Sequence, residues 1–331
     1  NSLSRITPME QPFKDIIHSA TLAPSGHNTQ PWKFAIRDNS ILVFPDYSRR
    51  LQVVDPDDHA LFISLGCALE NLVIAANHKG FRARVDYFLQ DEQPEHIRVT
   101  LEKDGVESDP DLFNAIQTRQ STRSQYDGRP IPAADLEKLK QASQQDHVSC
   151  ILFTQEAHIE PIIEFVKEGN RLQFRNQSFV RELISWIRFN KKNALATCDG
   201  INSASMGLPY VPRWLGKFIL NTFATPEGEA KKCEKLIRKS SGLALFIAQA
   251  NDKEAWINVG RSFERVVLKA TALNIKHAHM NMPCEEVEVR QKLQQHLGLQ
   301  HEQPLLLLRI GYSNPMPESY RRPVDAVLAG T

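Results

Sequence analysis

Several features are scarce in this 331-residue chain, and each scarcity closes off a class of function. Charge of one sign is missing: 40 Lys and Arg stand against 39 Asp and Glu, a formal +1. No large field therefore draws the chain to nucleic acid or anionic lipid, and a small-molecule partner is expected. Cysteine is limited to five residues, at 67, 150, 198, 233 and 284, without a CxxC pair. That pattern excludes a disulfide framework and reads as reduced thiols in a cytoplasmic compartment. No apolar run approaches the roughly 18 residues of a membrane span, and no secretory h-region follows Asn1. A P-loop, a GxGxxG after a strand, an HExxH and a GxSxG are all absent, which removes the usual support for nucleotide-dehydrogenase and hydrolase readings. His277-x-His279, with Cys284 nearby, lacks a carboxylate at ligand spacing, so polar core is expected there and no metal.

What is present is mixed helix and strand. Phe13, Ile16, Ile17 and Ala20 predict a helix over Pro12 to Thr21. Lys33 to Ile36 and Ile41 to Phe44, around Asp38-Asn39, predict a hairpin. Asp55-Pro56-Asp57-Asp58 opens a helix that runs to about His78 and stops at Gly80. Strands are expected near 84–89 and 97–101, a helix after Asp109-Pro110, another through Leu136 and Leu139, and a strand from Cys150 to Phe153. From 169 to 241 the pattern loosens into short helices punctuated by Gly and Pro. Strand 243–248, a long helix over 254–273, a helix near 286–297 and strand 305–310 complete the chain.

The two long helices carry the same marks 194 positions apart: Gly66 and Gly260, Glu70 and Glu264, Ala76 and Ala270, with Gly80 matched by Asn274. Both residues of the last pair suit a left-handed helix stop. The pattern predicts two related halves about a pseudo-twofold, residues 1–105 and 106–331, the second with an insertion at about 169–241. Two unrelated long helices in one α+β domain are the alternative.

Two motifs carry chemistry, one in each half. Pro24, Ser25 and Gly26 make a tight turn with backbone N–H groups and a hydroxyl free, and Asn28 and Gln30 add side-chain amides, a set that suits a flat heteroaromatic ligand. By spacing alone the same residues also read as an ordinary helix-to-strand connection. Arg119, Ser121 and Arg123 bring two guanidinium forks and a hydroxyl to a helix end, a favourable arrangement for phosphate, although such a run alone is also an exposed basic patch. Strand 305–310 leads into a basic tail, Tyr320-Arg321-Arg322-Pro323.

The run Pro24, Ser25, Asn28, Gln30, Pro31 and Trp32 resembles the Pro-Ser-x-x-Asn-x-Gln-Pro-Trp segment of the nitroreductase family. Arg119-x-Ser121-x-Arg123 is similar to that family's Arg-x-Ser-x-Arg signature. The resemblance implies an α+β three-layer sandwich that binds FMN, with hydride from NAD(P)H passed to a nitroaromatic or quinone-type acceptor. It implies flavin contacts from Pro24, Ser25, Gly26 and Asn28, and phosphate contacts from Arg119 and Ser121. Arg123 would lie near the pyrimidine edge, where positive charge favours the reduced ring, and Arg321 and Arg322 are additional phosphate candidates. In the family the turn reaches FMN from the neighbouring subunit; two fused halves with one turn and one Arg run would form an intramolecular pseudodimer with a single site, for which a monomer suffices. The insertion, with Asp199-Gly200 and Gly207-Leu208-Pro209, looks like the Acg-like branch, in which a lid covers the flavin. Trp186, Phe189, Trp214, Phe218 and Phe223 are candidates to line it, and a flavin-binding protein without turnover is the competing reading. No catalytic acid or base is assigned.

Overall fold

Phe13, Ile16, Ile17 and Ala20 lie one helical face apart, and α1 (Glu10–Thr21) buries all four against the core. The computed structural model describes residues 10–89 and 94–329. After the turn come β1 (Trp32–Arg37) and β2 (Ser40–Pro45), with Trp32 opposite Pro45, Arg37 opposite Ser40 and Asp38 in the left-handed region at φ 51°. α2 (His59–His78) follows, its first turn held by the Asp55 carboxylate, which accepts from the N–H of Ala60 and Leu61 at 2.9 Å each. β3 (Phe81–Phe88) and β4 (His96–Lys103) complete an antiparallel sheet in the order β1-β2-β4-β3.

The second half runs α3 (Pro110–Thr118), α4 (Ala133–Ala142), β5 (Val148–Phe153), α5 (Glu156–Arg175) and α6 (Gln177–Trp186). Next come β6 (Ile187–Arg188), α7 (Lys191–Thr197), β7 (Ile201–Asn202), α8 (Arg213–Phe223) and α9 (Pro226–Arg238). β8 (Gly242–Ala248), α10 (Lys253–Ala272), β9 (Lys276–His279), α11 (Met282–Glu285), α12 (Val287–His296), β10 (Gln303–Gly311) and α13 (Val324–Val327) end it. Its sheet, β5-β8-β10-β9, is again antiparallel and repeats the first: in each, the strands stand in the order first, second, fourth, third. In each, the long helix links the second strand to the third.

Those helices, α2 and α10, cross where each has a glycine. A Cβ on Gly66 would lie 2.0 Å from the Ile257 carbonyl oxygen, and one on Gly260 would lie 2.0 Å from that of Ile63. The contact maps onto itself under the 194-residue offset. The helix stops match as well, with Gly80 at φ 80° and Asn274 at φ 58°. The principal core fills the space around this crossing, between the two sheets.

Two expectations need correction. The insertion begins earlier than 169: α5 runs unbroken through Gly169, and α5 to α9 together stand between β5 and β8, where the first half has only the Asp38-Asn39 turn. Gly169 is there for packing, since a Cβ would meet the Met282 backbone at 2.8 Å. Secondly, α2 does have the length and hydropathy of a membrane span, at 20 residues and 1.6, but 89% of that stretch is buried within the protein, as the central helix of a core.

Candidate active site

The Pro24 turn leaves α1 and is tightly wound. His27, Asn28 and Gln30 all take left-handed φ values, 46°, 54° and 54°, each a cost of about 1–3 kcal/mol that the surroundings must offset. They do so with side-chain hydrogen bonds. The Asn28 amide donates to the carbonyls of Gly200 and Tyr320, both at 3.0 Å, and Gln30 donates to Cys198 at 2.9 Å. Gln30 also accepts from the Arg322 N–H at 2.8 Å, and the Ser25 hydroxyl accepts from the Gln30 N–H at 2.9 Å. The amides expected to be free for a ligand therefore tie the turn to the insertion and to the C-terminal arm; the Asn28 Oδ1 and His27 Nδ1 have no partner among the described residues.

The second motif is laid along the edge of the second sheet. Ser121 bridges to His277 on β9, and the Thr122 N–H donates to the His277 carbonyl at 2.8 Å. Arg309 on β10 fastens this run from below: its Nη2 donates to the carbonyls of Thr122, Arg123 and Ser124 at 3.3, 2.9 and 2.9 Å. Residues beyond β10 then return to the first half, where the Ala329 N–H donates to Phe34 at 2.7 Å.

Turn, Arg run and arm enclose one cavity of about 340 Å³. Pro24, Ser25, Gly26 and Asn28 line it from the first half, Arg119, Ser121 and Arg123 from the second, and Arg321 from the arm. Arg322 is directed elsewhere: its guanidinium donates to the carbonyls of Gln30 and Ala326, and it is outside the cavity wall.

The electrostatics around this wall are strongly positive. Arg119 and Arg321 both donate to the Leu22 carbonyl, at 3.0 and 3.4 Å. Burial, then the neighbouring Arg119, pushes Arg321 down to about 9. Arg123 is also held below its ordinary value by burial, with Arg309 close by. The opposing carboxylate is Glu264 on α10, 3.4 Å from Arg119 and fully buried; burial raises it to about 7 despite that cation. His279 faces the cavity, and enclosure with the Arg123 and Arg119 charges holds it neutral, at about 3. Its neighbour His277 is buried and likewise held neutral. Guanidiniums converging on one side of the cavity fit a bound phosphate.

Sequence reasoning missed the opposite wall. Asp55, Gln173, Asn281 and Glu285 also line the cavity, from three separate segments, the last two being the cap and the end of α11. Gln173 and Asn281 donate to Glu285 at 2.7 and 3.3 Å, yet burial still raises its carboxyl above the ordinary range. None lies in a recognisable motif.

The lid candidates divide. Phe189 is buried beneath α8, and Trp186 has Arg49 and Arg188 over its ring at 5.5 and 5.6 Å. Trp214, Phe218 and Phe223 are exposed and are outside the cavity wall. What joins the insertion to the turn is polar: Asp199 pairs with Arg188 at 2.7 Å within the insertion and with Arg49, whose Nε also donates to the Thr29 carbonyl. Burial works to raise Asp199, but hydrogen bonds from Arg188, Thr197 and Arg49 hold it below its ordinary value.

No family model matches the chain. A Mycobacterium tuberculosis protein named "Putative NAD(P)H nitroreductase Rv3131" is 24% identical over 330 residues, 97% of this chain and 92% of its own. A second from that organism, "Putative NAD(P)H nitroreductase acg", is 23% identical over 333 residues, covering 95% and 94%. The crystal structure of "a putative nitroreductase" from Anabaena variabilis shares the fold, with a TM-score of 0.56 over 92% of this chain and 88% of that one at 10% identity. Similarity along nearly the whole length to proteins named as putative nitroreductases, Acg among them, thus accompanies one fold built from two like halves.

Proposed function

We propose that the chain is an FMN-dependent oxidoreductase that takes hydride from NAD(P)H and delivers electrons to a nitroaromatic or quinone-type acceptor. The observation that carries this reading is the convergence of Arg119, Arg123 and Arg321 on one cavity whose facing wall is the Pro24 turn. FMN, when bound, supplies the acceptance and release of hydride and electrons. The chain's part is to hold and tune it. Arg119, Ser121 and Arg321 hold the phosphate, the Pro24–Asn28 turn abuts the ring, and Arg123 places positive charge beside it. Glu285, whose carboxyl burial raises above its ordinary value, is the acid in the wall placed to exchange a proton with an acceptor.

The division into residues 1–105 and 106–331 assigns the turn to one half and the Arg run to the other, so one FMN per chain is expected and a monomer completes the site. Reconstitution with FMN followed by absorbance and protein assay tests this. One flavin per chain, bleached anaerobically by NAD(P)H, supports the reading; two per chain removes the pseudodimer argument.

The bonds from Asn28 and Gln30 to Gly200 and Cys198 favour a second reading, a flavin-sequestering protein whose insertion covers the ring. A loaded flavin that dithionite bleaches and NAD(P)H does not would select it.

A further inference from the structure

Behind the wall that carries Arg123 lies a second cavity of about 400 Å³, between the second sheet and the insertion helices. It shares Ser121, Arg123, Phe174, His279 and Met282 with the first, and otherwise has a different character. Most of its wall is apolar, with Leu183, Leu220 and Leu236 from α6, α8 and α9, and Phe189, Met206 and Met280 from the segments that follow β6, β7 and β9. Its carboxylate, Glu229, is already paired with Lys232 at 3.4 Å.

Against this apolar wall stands a charge. Arg309 lines the cavity and is fully buried, with the Tyr126 ring 3.9 Å from its guanidinium carbon. Its Nη2 is saturated by the Thr122, Arg123 and Ser124 carbonyls, whereas Nε and Nη1 have no hydrogen-bond partner among the described residues. A guanidinium has five N–H donors, and buried donors are almost always satisfied. A buried cation without a carboxylate is costlier still, because desolvation is uncompensated. Arg123, on the shared wall, adds a second positive group whose side-chain hydrogen bond among the described residues, to the Ser205 carbonyl, is long at 3.5 Å.

We propose that this second cavity binds an amphipathic carboxylate, its head on Arg309 and Arg123 and its apolar body among α6, α8 and α9. A planar carboxylate matches the guanidinium fork, and a mostly apolar cavity with a few convergent polar groups is the usual form of a small-molecule site. The proposal shares Arg123 with the flavin reading but is carried by Arg309, which lines the second cavity and not the first.

Titration calorimetry of the full chain with decanoate, and with decan-1-ol as the uncharged probe of equal length, tests it. Saturable binding of one decanoate is expected, tighter than the alcohol by about tenfold or more, as one charged hydrogen bond implies, and undisturbed by added FMN. Arg309→Met should reduce decanoate to the level of the alcohol. Because Arg309 also fastens the 122–124 backbone, a second variant, Leu220→Trp on the partly exposed α8, fills the cavity without touching that anchor and should abolish binding of both probes. Absence of saturable binding, equal affinity for acid and alcohol, displacement by FMN, or unchanged binding in Leu220→Trp would each overturn the proposal.

Discussion

Arg119 and Arg321 donate to the same carbonyl oxygen, that of Leu22, at 3.0 and 3.4 Å, although one follows α3 and the other belongs to the C-terminal arm. Two cations held this close repel each other, and an anion between them and the solvent would relieve both. Arg321→Ala should therefore weaken FMN far more than riboflavin. A charged hydrogen bond contributes about 1.5–3 kcal/mol, so roughly a ten- to hundredfold loss of FMN affinity is expected from fluorescence titration. Equal losses for the two flavins would move Arg321 off the phosphate.

Glu264 gives a pH dependence of stability. Its folded value of about 7 lies above the ordinary 4.5, so the fold keeps a proton that the unfolded chain releases. Its contribution is thus fully present below about 4.5 and is lost as pH rises through about 7, at about 1.4 kcal/mol for each unit separating the two values. Melting temperatures of the wild type and Glu264→Gln across this window should show the fall in the former and a flatter profile in the latter. Parallel profiles would assign the slope to other groups.

The helix crossing leaves no room for a methyl group. In Gly66→Ala the new Cβ would meet backbone, the Ile257 carbonyl at 2.0 Å, so a side-chain shift cannot relieve it. A loss of about 3 kcal/mol, the upper end for overpacking, is expected from denaturant midpoints, with a similar loss for Gly260→Ala. A neutral result for either would mean the helices separate freely.

Asp199 is the latch between insertion and turn, joined to Arg49 and Arg188. Asp199→Ala should free the 198–200 segment and speed reduction of bound flavin by NAD(P)H, while dithionite reduction and FMN content stay unchanged. If stopped-flow rates with NAD(P)H do not move, opening of this segment does not limit access; if flavin is lost, the segment is part of the wall.

The sequence by itself determined the local elements and the two motifs. α1, the first hairpin, α2 and α10 follow from apolar spacing, capping residues and helix stops, all of which act within a few residues. The Pro24 turn and the Arg119 run were legible for the same reason, and the marks shared by Gly66 and Gly260 pointed to the duplication. Partnership over long distances was decided only by the tertiary structure. Asn28 and Gln30 look free in the sequence, yet their amides belong to Gly200, Tyr320 and Cys198. Arg322 looks equivalent to Arg321, but successive side chains on an extended arm leave in different directions, and only Arg321 reaches the cavity. Asn281 and Glu285 stand one helical turn apart, but nothing local joins that pair to Asp55 and Gln173 as one wall. Whether a polar group is free for a ligand depends on which backbone it meets after folding, and no period along the chain encodes that.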